Sequence, residues 1–121
     1  MKEMTLKDIQ QFQRDFDKKY FGKYWDKNEH STDEQITILK DMIIALTGEL
    51  GEFANAVKKI SRDRNAIGTE PSEEMLEKLK EELTDCFIYV IILSNILKMD
   101  IEKEYLEKTE FNHKRFQKYL K

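Results

Sequence analysis

The chain has 121 residues, 37% charged and 40% hydrophobic, with 4 Gly, one Pro and a formal net charge of −3 from 21 basic and 24 acidic residues. That length holds one domain with a real core but not two, and the composition is that of a helical protein with little turn chemistry. The charge balance excludes a basic nucleic-acid surface and a polybasic membrane anchor, so neither partner is expected; the lone Cys86 excludes an internal disulfide framework and a cysteine-built zinc site. The opening MKEMTLKDIQ lacks the apolar core of a signal peptide, and the most apolar run, CFIYVIILSNIL at 86–97, is too short to span a bilayer. A soluble, cytoplasmic protein is expected.

Four helices are expected. Thr5, with Asp8 three residues on, has the capping-box pattern and opens the first, over roughly 5–21. The polar, aromatic GKYWDKNEHSTD follows as a loop. Ser31 and Glu34 make a second capping-box pattern ahead of a long helix at about 33–61. Its apolar residues, Ile36, Leu39, Ile43, Leu46, Leu50, Phe53, Val57 and Ile60, step by threes and fours, which is a packed-helix seam. SRDRNAIGTEP, with Gly68 and Pro71, reads as a connecting loop. A third helix, about 72–98, repeats the spacing at Leu76, Leu79, Leu83, Cys86, Val90, Leu93 and Leu97. Between 87 and 93 it is apolar on every side, so both faces should be buried, and a subunit interface is implied. Asp100 can cap a last helix, about 101–119, whose very short connection sets it antiparallel to the third. The expected fold class is all-α, a four-helix bundle in an oligomer.

Beside the seam of the second helix runs the line Met42, Ala45, Glu49, Glu52, Ala56, and beside the third runs Glu82, Asp85, Tyr89, Ile92. Each helix thus places two carboxylates, i and i+3, at the edge of its buried face. Four acids in one groove repel and are costly to desolvate. A hard divalent cation resolves the conflict, because carboxylate oxygens are the ligands Mg²⁺ prefers. Gly48 and Gly51 each weaken the helix by about 1 kcal/mol relative to Ala; with Ala45 and Ala56 they leave room for a ligand or a close helix. A chain with 24 acids also shows such spacings by accident. Spacing alone leaves a metal site and a solvated face both open.

Other constellations compete less well. Glu110-x-x-His113 has the spacing of a di-iron ligand pair, but such a site needs two of them, and His30 in the loop cannot supply the second. Cys86 sits on the seam as a small hydrophobe rather than a nucleophile. Lys108, Asn112 and Arg115 share a face of the last helix with Tyr105, which suits a polyphosphate bearing a polar group or, equally, a solvated surface. Lys58, Lys59, Arg62 and Arg64 form a second cationic cluster just beyond the first acidic pair.

GELGE followed by EELTDCFIY resembles the MazG-like, all-α nucleoside triphosphate pyrophosphohydrolases, and the likeness is greatest to their dCTP pyrophosphatase branch. It runs through TLKDIQQFQRDF, both acidic motifs and KTEFNHKR. The resemblance implies that Glu49, Glu52, Glu82 and Asp85 hold Mg²⁺, with Mn²⁺ as a substitute; one of these acids, with Glu52 the candidate, would orient the attacking water instead of binding metal directly. The resemblance also implies that Tyr89, Lys108, Asn112 and Arg115 contact substrate; Lys59, from the cationic cluster, and Trp25, in the early loop, are further candidate contacts. Where the branch carries a tryptophan after E-x-x-E this chain has Lys58-Lys59-Ile60, and its early loop is longer, so base preference stays open. The implied activity is hydrolysis of (deoxy)nucleoside triphosphates to monophosphate and pyrophosphate, a house-cleaning of the nucleotide pool, by a homodimer or homotetramer of a single domain over 1–121. A related enzyme acting on dUTP or a phosphoribosyl nucleotide, and a helical interaction module without activity, are the alternatives.

Overall fold

Thr5 opens the first helix as its spacing predicts. Its hydroxyl accepts from the Asp8 backbone N–H at 3.1 Å and the Asp8 carboxylate accepts from the Thr5 N–H at 3.0 Å, so two donors that a helix N-terminus leaves unpaired are satisfied reciprocally. The computed structural model describes residues 3–120, and this first helix, α1, spans Leu6–Tyr20. A single turn, α2 (Gly22–Trp25), falls within the stretch expected to be loop. Ser31 and Glu34 repeat the capping box at the head of α3 (Thr32–Ile67). Ser72 accepts from Met75 N–H at 3.1 Å to start α4 (Glu73–Ile96), and Asp100 accepts from Lys103 N–H at 3.2 Å to start α5 (Ile101–Arg115).

Two boundaries differ from expectation. Helix α3 continues through SRDRNA to Ile67, because those residues include good helix formers and no breaker. Gly68 ends it instead, in the left-handed conformation (φ 69) that glycine adopts without a steric penalty, its N–H bonded to the Arg64 carbonyl at 2.9 Å. At the other end α5 stops at Arg115 and the chain closes in a 3₁₀ turn, Gln117–Tyr119.

The 36 residues of α3, at 1.5 Å each, reach about 54 Å. Gln35 near its start donates to the Ile96 carbonyl at the end of α4 (3.3 Å), so the two helices form an antiparallel hairpin. Helix α1 packs across α4, α2 folds against α1, and α5 rests on α1. The last contact corrects an expectation, since α5 was to lie along α4. Lys98, in the left-handed region (φ 54), turns the chain so that the first turn of α5 meets α1, where Ile101 N–H donates to Gln10 Oε1 at 3.3 Å. Most of α5 is then exposed, including Tyr105, Leu106 and Phe111.

Among the described residues the buried apolar ones are Cys86, Ile91, Ile92 and Ile96 of α4. Only alternate seam residues are covered. In α3, Leu39, Leu46, Phe53 and Ile60 are half-buried, while Ile36, Ile43, Leu50 and Val57 stay exposed. In α4 the exposed members are Leu76, Leu83 and Val90, with Phe87 beside them and Leu97 just past the helix end. The all-round burial expected for 87–93 is therefore not reached within one chain; each hairpin helix keeps an open apolar stripe at seven-residue spacing. Among the described residues no strand forms and no helix is long and apolar enough to cross a membrane.

Candidate functional site

Midway along the hairpin, α3 presents Glu49 and α4 presents Glu82 and Asp85, with carboxylate oxygens that lie within 4.8 Å of one another. The i, i+3 spacing puts Glu82 and Asp85 on one face of α4, and the antiparallel register brings Glu49 opposite them. Glu82 is 2% exposed. Its Oε1 pairs with Lys78 Nζ at 2.8 Å, and among the described residues its Oε2 finds no hydrogen-bond partner. Lys78 holds the Glu82 carboxyl below the usual range. Glu49 is pushed up, first by its contact with Glu82, then by burial and by the charges of Glu52, Asp85 and Glu82. A proton on Glu49 relieves the repulsion that three close carboxylates otherwise suffer. An oxygen-only set with an unpaired buried oxygen also fits a hard divalent cation, which would relieve the same repulsion.

Glu52 stands apart from this trio. It is exposed on α3, within reach of Glu82, and shares with Lys59, Lys78 and Glu82 an open groove of about 860 Å³ between the two helices. Of the cationic cluster only Lys59 lines that groove; Arg62 pairs with Asp63 at 3.1 Å and Arg64 with Glu70. Gly48 and Gly51 face open space, with no described atom within 4 Å of where a Cβ would stand. Of the two uses expected for them, room for a close helix is not realised within the chain.

On the other side of the acids lies a cavity of about 480 Å³ whose wall includes Glu49, Asp85, Tyr89 and Trp25. Trp25 reaches it because α2 is pinned. Tyr24 stacks on His30 with centroids 3.7 Å apart, Trp25 meets Tyr24 edge-on at 5.1 Å, and Lys27 pairs with Glu34 at 2.9 Å. Lys108, Asn112 and Arg115 line neither cavity; on α5, Lys108 lies over the Phe111 ring and Arg115 over the Phe116 ring. Glu110 and His113 are exposed and turn to Lys114 and Gln117. Cys86 is buried, and burial, then the neighbouring acids, push its thiol up, which keeps it protonated and a poor nucleophile.

Two cavity residues escaped the sequence reading. Asp17 of α1 is 3% exposed. Its Oδ1 accepts from Gln13 Nε2 at 3.0 Å, and burial pushes its carboxyl up against the opposing effect of that bond. Both residues line the aromatic cavity. The signal was present: Leu6 and Ile9 begin the face of α1 that packs inward, and helical spacing continues that face through Gln13 to Asp17.

Residues 39–117 match the MazG nucleotide pyrophosphohydrolase domain. Over 88 residues, 72% of this chain, the sequence is 31% identical to dCTP pyrophosphatase 1 of Homo sapiens, of which the match takes in 51%. The dCTP pyrophosphatase 1 of Rattus norvegicus is 28% identical over the same extent, 72% of this chain and 51% of its own. Gene 37 protein of Mycobacterium phage L5 is 41% identical over 64 residues, 53% of this chain and 54% of its own. The chain therefore spans about half the length of the relatives it matches. The matched segment takes in Glu49, Glu52, Glu82 and Asp85, with most of α3 and all of α4, and it covers more than half the chain. By that match the chain belongs to the MazG nucleotide pyrophosphohydrolase family.

Proposed function

We propose that this chain, as a single domain over 1–121, hydrolyses (deoxy)nucleoside triphosphates to the monophosphate and pyrophosphate, with Glu49, Glu82 and Asp85 holding Mg²⁺ or, in its place, Mn²⁺, and with Glu52 beside them orienting the attacking water instead of binding the metal directly. One observation carries the reading: the close trio Glu49, Glu82 and Asp85, with Glu82 Oε2 unpaired, lies between an aromatic cavity and a groove lined by Lys59 and Lys78. A nucleotide has those two ends. Its base and sugar suit the aromatic side and its polyphosphate the cationic side.

When bound, the cation neutralises phosphate charge and lowers the pKa of the attacking water. The chain's own residues position the reactants, which is most of what phosphoryl transfer requires of a protein. Lys59 and Lys78 attract the phosphates distal to the sugar. Glu52, exposed at the groove, orients water toward the α-phosphorus and takes up its proton. The new P–O bond forms as the bond from the α-phosphorus to the bridging oxygen breaks, and pyrophosphate leaves. Tyr89, one turn beyond Asp85, packs against the deoxyribose and disfavours a 2′-hydroxyl. Lys108, Asn112 and Arg115 add substrate contacts from α5. The open stripes of α3 and α4 support assembly into a homodimer or a pair of dimers, and assembly is the event that brings an α5 near a cavity it does not line in one chain. The role is house-cleaning of a cytoplasmic nucleotide pool.

The test is a panel of canonical and modified triphosphates assayed for pyrophosphate with Mg²⁺, beginning with dCTP because two relatives are named for it. Stoichiometric pyrophosphate and monophosphate, lost on chelation, are expected. Tyr89→Ala should narrow the ratio of kcat/KM between dNTP and NTP partners. Release of orthophosphate, or metal-independent turnover, would refute the reaction.

A further inference from the structure

The aromatic cavity contains one group that the proposed reaction leaves unused. Asp17 Oδ1 is held by Gln13 Nε2 at 3.0 Å, yet among the described residues nothing pairs with Oδ2, which is buried. Buried polar atoms without a partner are rare in native proteins, and each requires an explanation. A structural role is a poor one. Gln10, seven residues earlier on the same helix, is also buried, and its amide donates to Ser94 Oγ and the Met99 carbonyl while accepting from Ile101 N–H. The fold can satisfy a buried polar side chain on this face, and at Asp17 it does not.

What surrounds Asp17 indicates the missing partner. Phe16, Tyr24, Trp25 and Tyr89 give the cavity flat, apolar walls, and Ile38 and Ile92 close it further. Such walls take a planar heterocycle by stacking, and the polar edge of that ring then needs a protein partner in place of water. We infer that Asp17, with one oxygen held by Gln13, reads the hydrogen-bonding edge of the nucleobase and selects a base bearing an exocyclic amino group. This rests on reading the cavity as the nucleotide site. Oδ2 is a recessed acceptor. An amino N–H projects beyond the ring and can reach it. Uracil or thymine offers only a ring N–H flanked by two carbonyl oxygens, which would face the carboxylate acceptor to acceptor.

Trp25 is the sole tryptophan and lines the same cavity, so its emission reports occupancy without turnover. The experiment titrates α,β-imido analogues of dCTP and dUTP, which pyrophosphohydrolysis cannot cleave, in Mg²⁺ at about pH 8, well above the ordinary carboxyl range. Wild type should bind the cytosine analogue at least about tenfold more tightly, since leaving a buried polar group unpaired is what discriminates between isosteres. In Asp17→Asn the remaining oxygen stays on Gln13 Nε2 and an NH₂ takes the free position, so the preference should vanish or invert toward uracil. Asp17→Ala should abolish it, and melting temperatures check that both variants fold. No preference in wild type, a ratio unchanged in both variants, or no binding of either analogue overturns the inference. Pyrophosphate release from dCTP and dUTP, followed on the same preparations, separates the two readings. Asp17-dependent base preference without release refutes the reaction and keeps the base reader; release with unchanged ratios does the reverse.

Discussion

Helix α4 carries two buried polar clusters a few turns apart, and they are resolved in opposite ways. At its C-terminal end Ser94 and Asn95 meet Gln10 and Arg14 of α1. Gln10 Nε2 donates to Ser94 Oγ at 3.0 Å, Asn95 Nδ2 donates to the Gln10 carbonyl at 3.0 Å, and Arg14 Nη2 donates to Asn95 Oδ1 at 3.1 Å. Every amide and hydroxyl there has a partner within the chain. At the centre, Glu82 and Asp85 meet Glu49 with acceptors only, and the one nearby donor, Lys78, serves a single oxygen. Glu82, Ser94 and Asn95 are alike in burial, at 2–5% exposure, while Glu49 and Asp85 at the centre and Arg14 at the end are half-buried. What differs is closure: the amide cluster is complete and ties α1 to α4, whereas the acid cluster leaves a buried oxygen of Glu82 without a partner among the described residues.

That contrast can be broken from either side. The largest effect is expected at the open cluster. Asp85→Asn or Glu49→Gln should lower Mg²⁺-dependent pyrophosphate release by at least about a hundredfold, while the metal-free melting temperature holds or rises because repulsion among the acids is reduced. Steady-state assays and thermal melts on the same protein check both halves, and near-normal turnover in saturating Mg²⁺ would remove these residues from the site. The closed cluster should respond the other way. Gln10→Ala leaves Ser94, Asn95 and the Ile101 N–H short of partners, a loss of about 2–4 kcal/mol. Urea denaturation measures it, and turnover per folded molecule should stay within about twofold of wild type.

The smallest effect sharpens the comparison with a third polar group, one that is local and exposed. Ser31→Ala removes half of the α3 capping box and should cost about 1 kcal/mol. The other half depends on pH. Lys27 and the Ser31 backbone hold Glu34 at about 2, below its ordinary 4.5. A depressed carboxyl contributes stability that is present above about 4.5 and lost as pH falls toward about 2. Melts of wild type and Glu34→Gln should therefore differ slightly at neutral pH and converge toward the acid end of that window.

Much of this was written locally in the chain. Capping boxes at Thr5 and Ser31 and the cap at Asp100 act between residues three apart, so spacing alone locates them. The shared face of Glu82 and Asp85 was legible for the same reason, since i, i+3 spacing sets it before any packing is known, whereas Glu52, three residues from Glu49, stands outside the trio. What spacing could not supply was decided at long range. Which half of each seam is covered depends on how α3 and α4 pack together and on where α1 docks on α4, and the direction of α5 depends on the turn at Lys98 and the tie from Ile101 to Gln10. The aromatic cavity needed α2, whose position rests on Tyr24 stacking against His30 rather than on any pattern in GKYWDKNEH. Asp17 was obscured because aspartate on a helix usually marks solvent, and only the packing of α1 shows that its face points inward.

The stand-off of α5 has a further consequence. A 15-residue helix is marginal in water without tertiary support, and most of this one is exposed, its first turn resting on α1. With so little support it is expected to open while the hairpin stays shut, and hydrogen exchange should find its amides less protected than those of α3 and α4. Lys108, Asn112 and Arg115 ride on that segment. Any contact they make must first order the helix that carries them, which lowers the net affinity each can deliver and links substrate grip to helix formation.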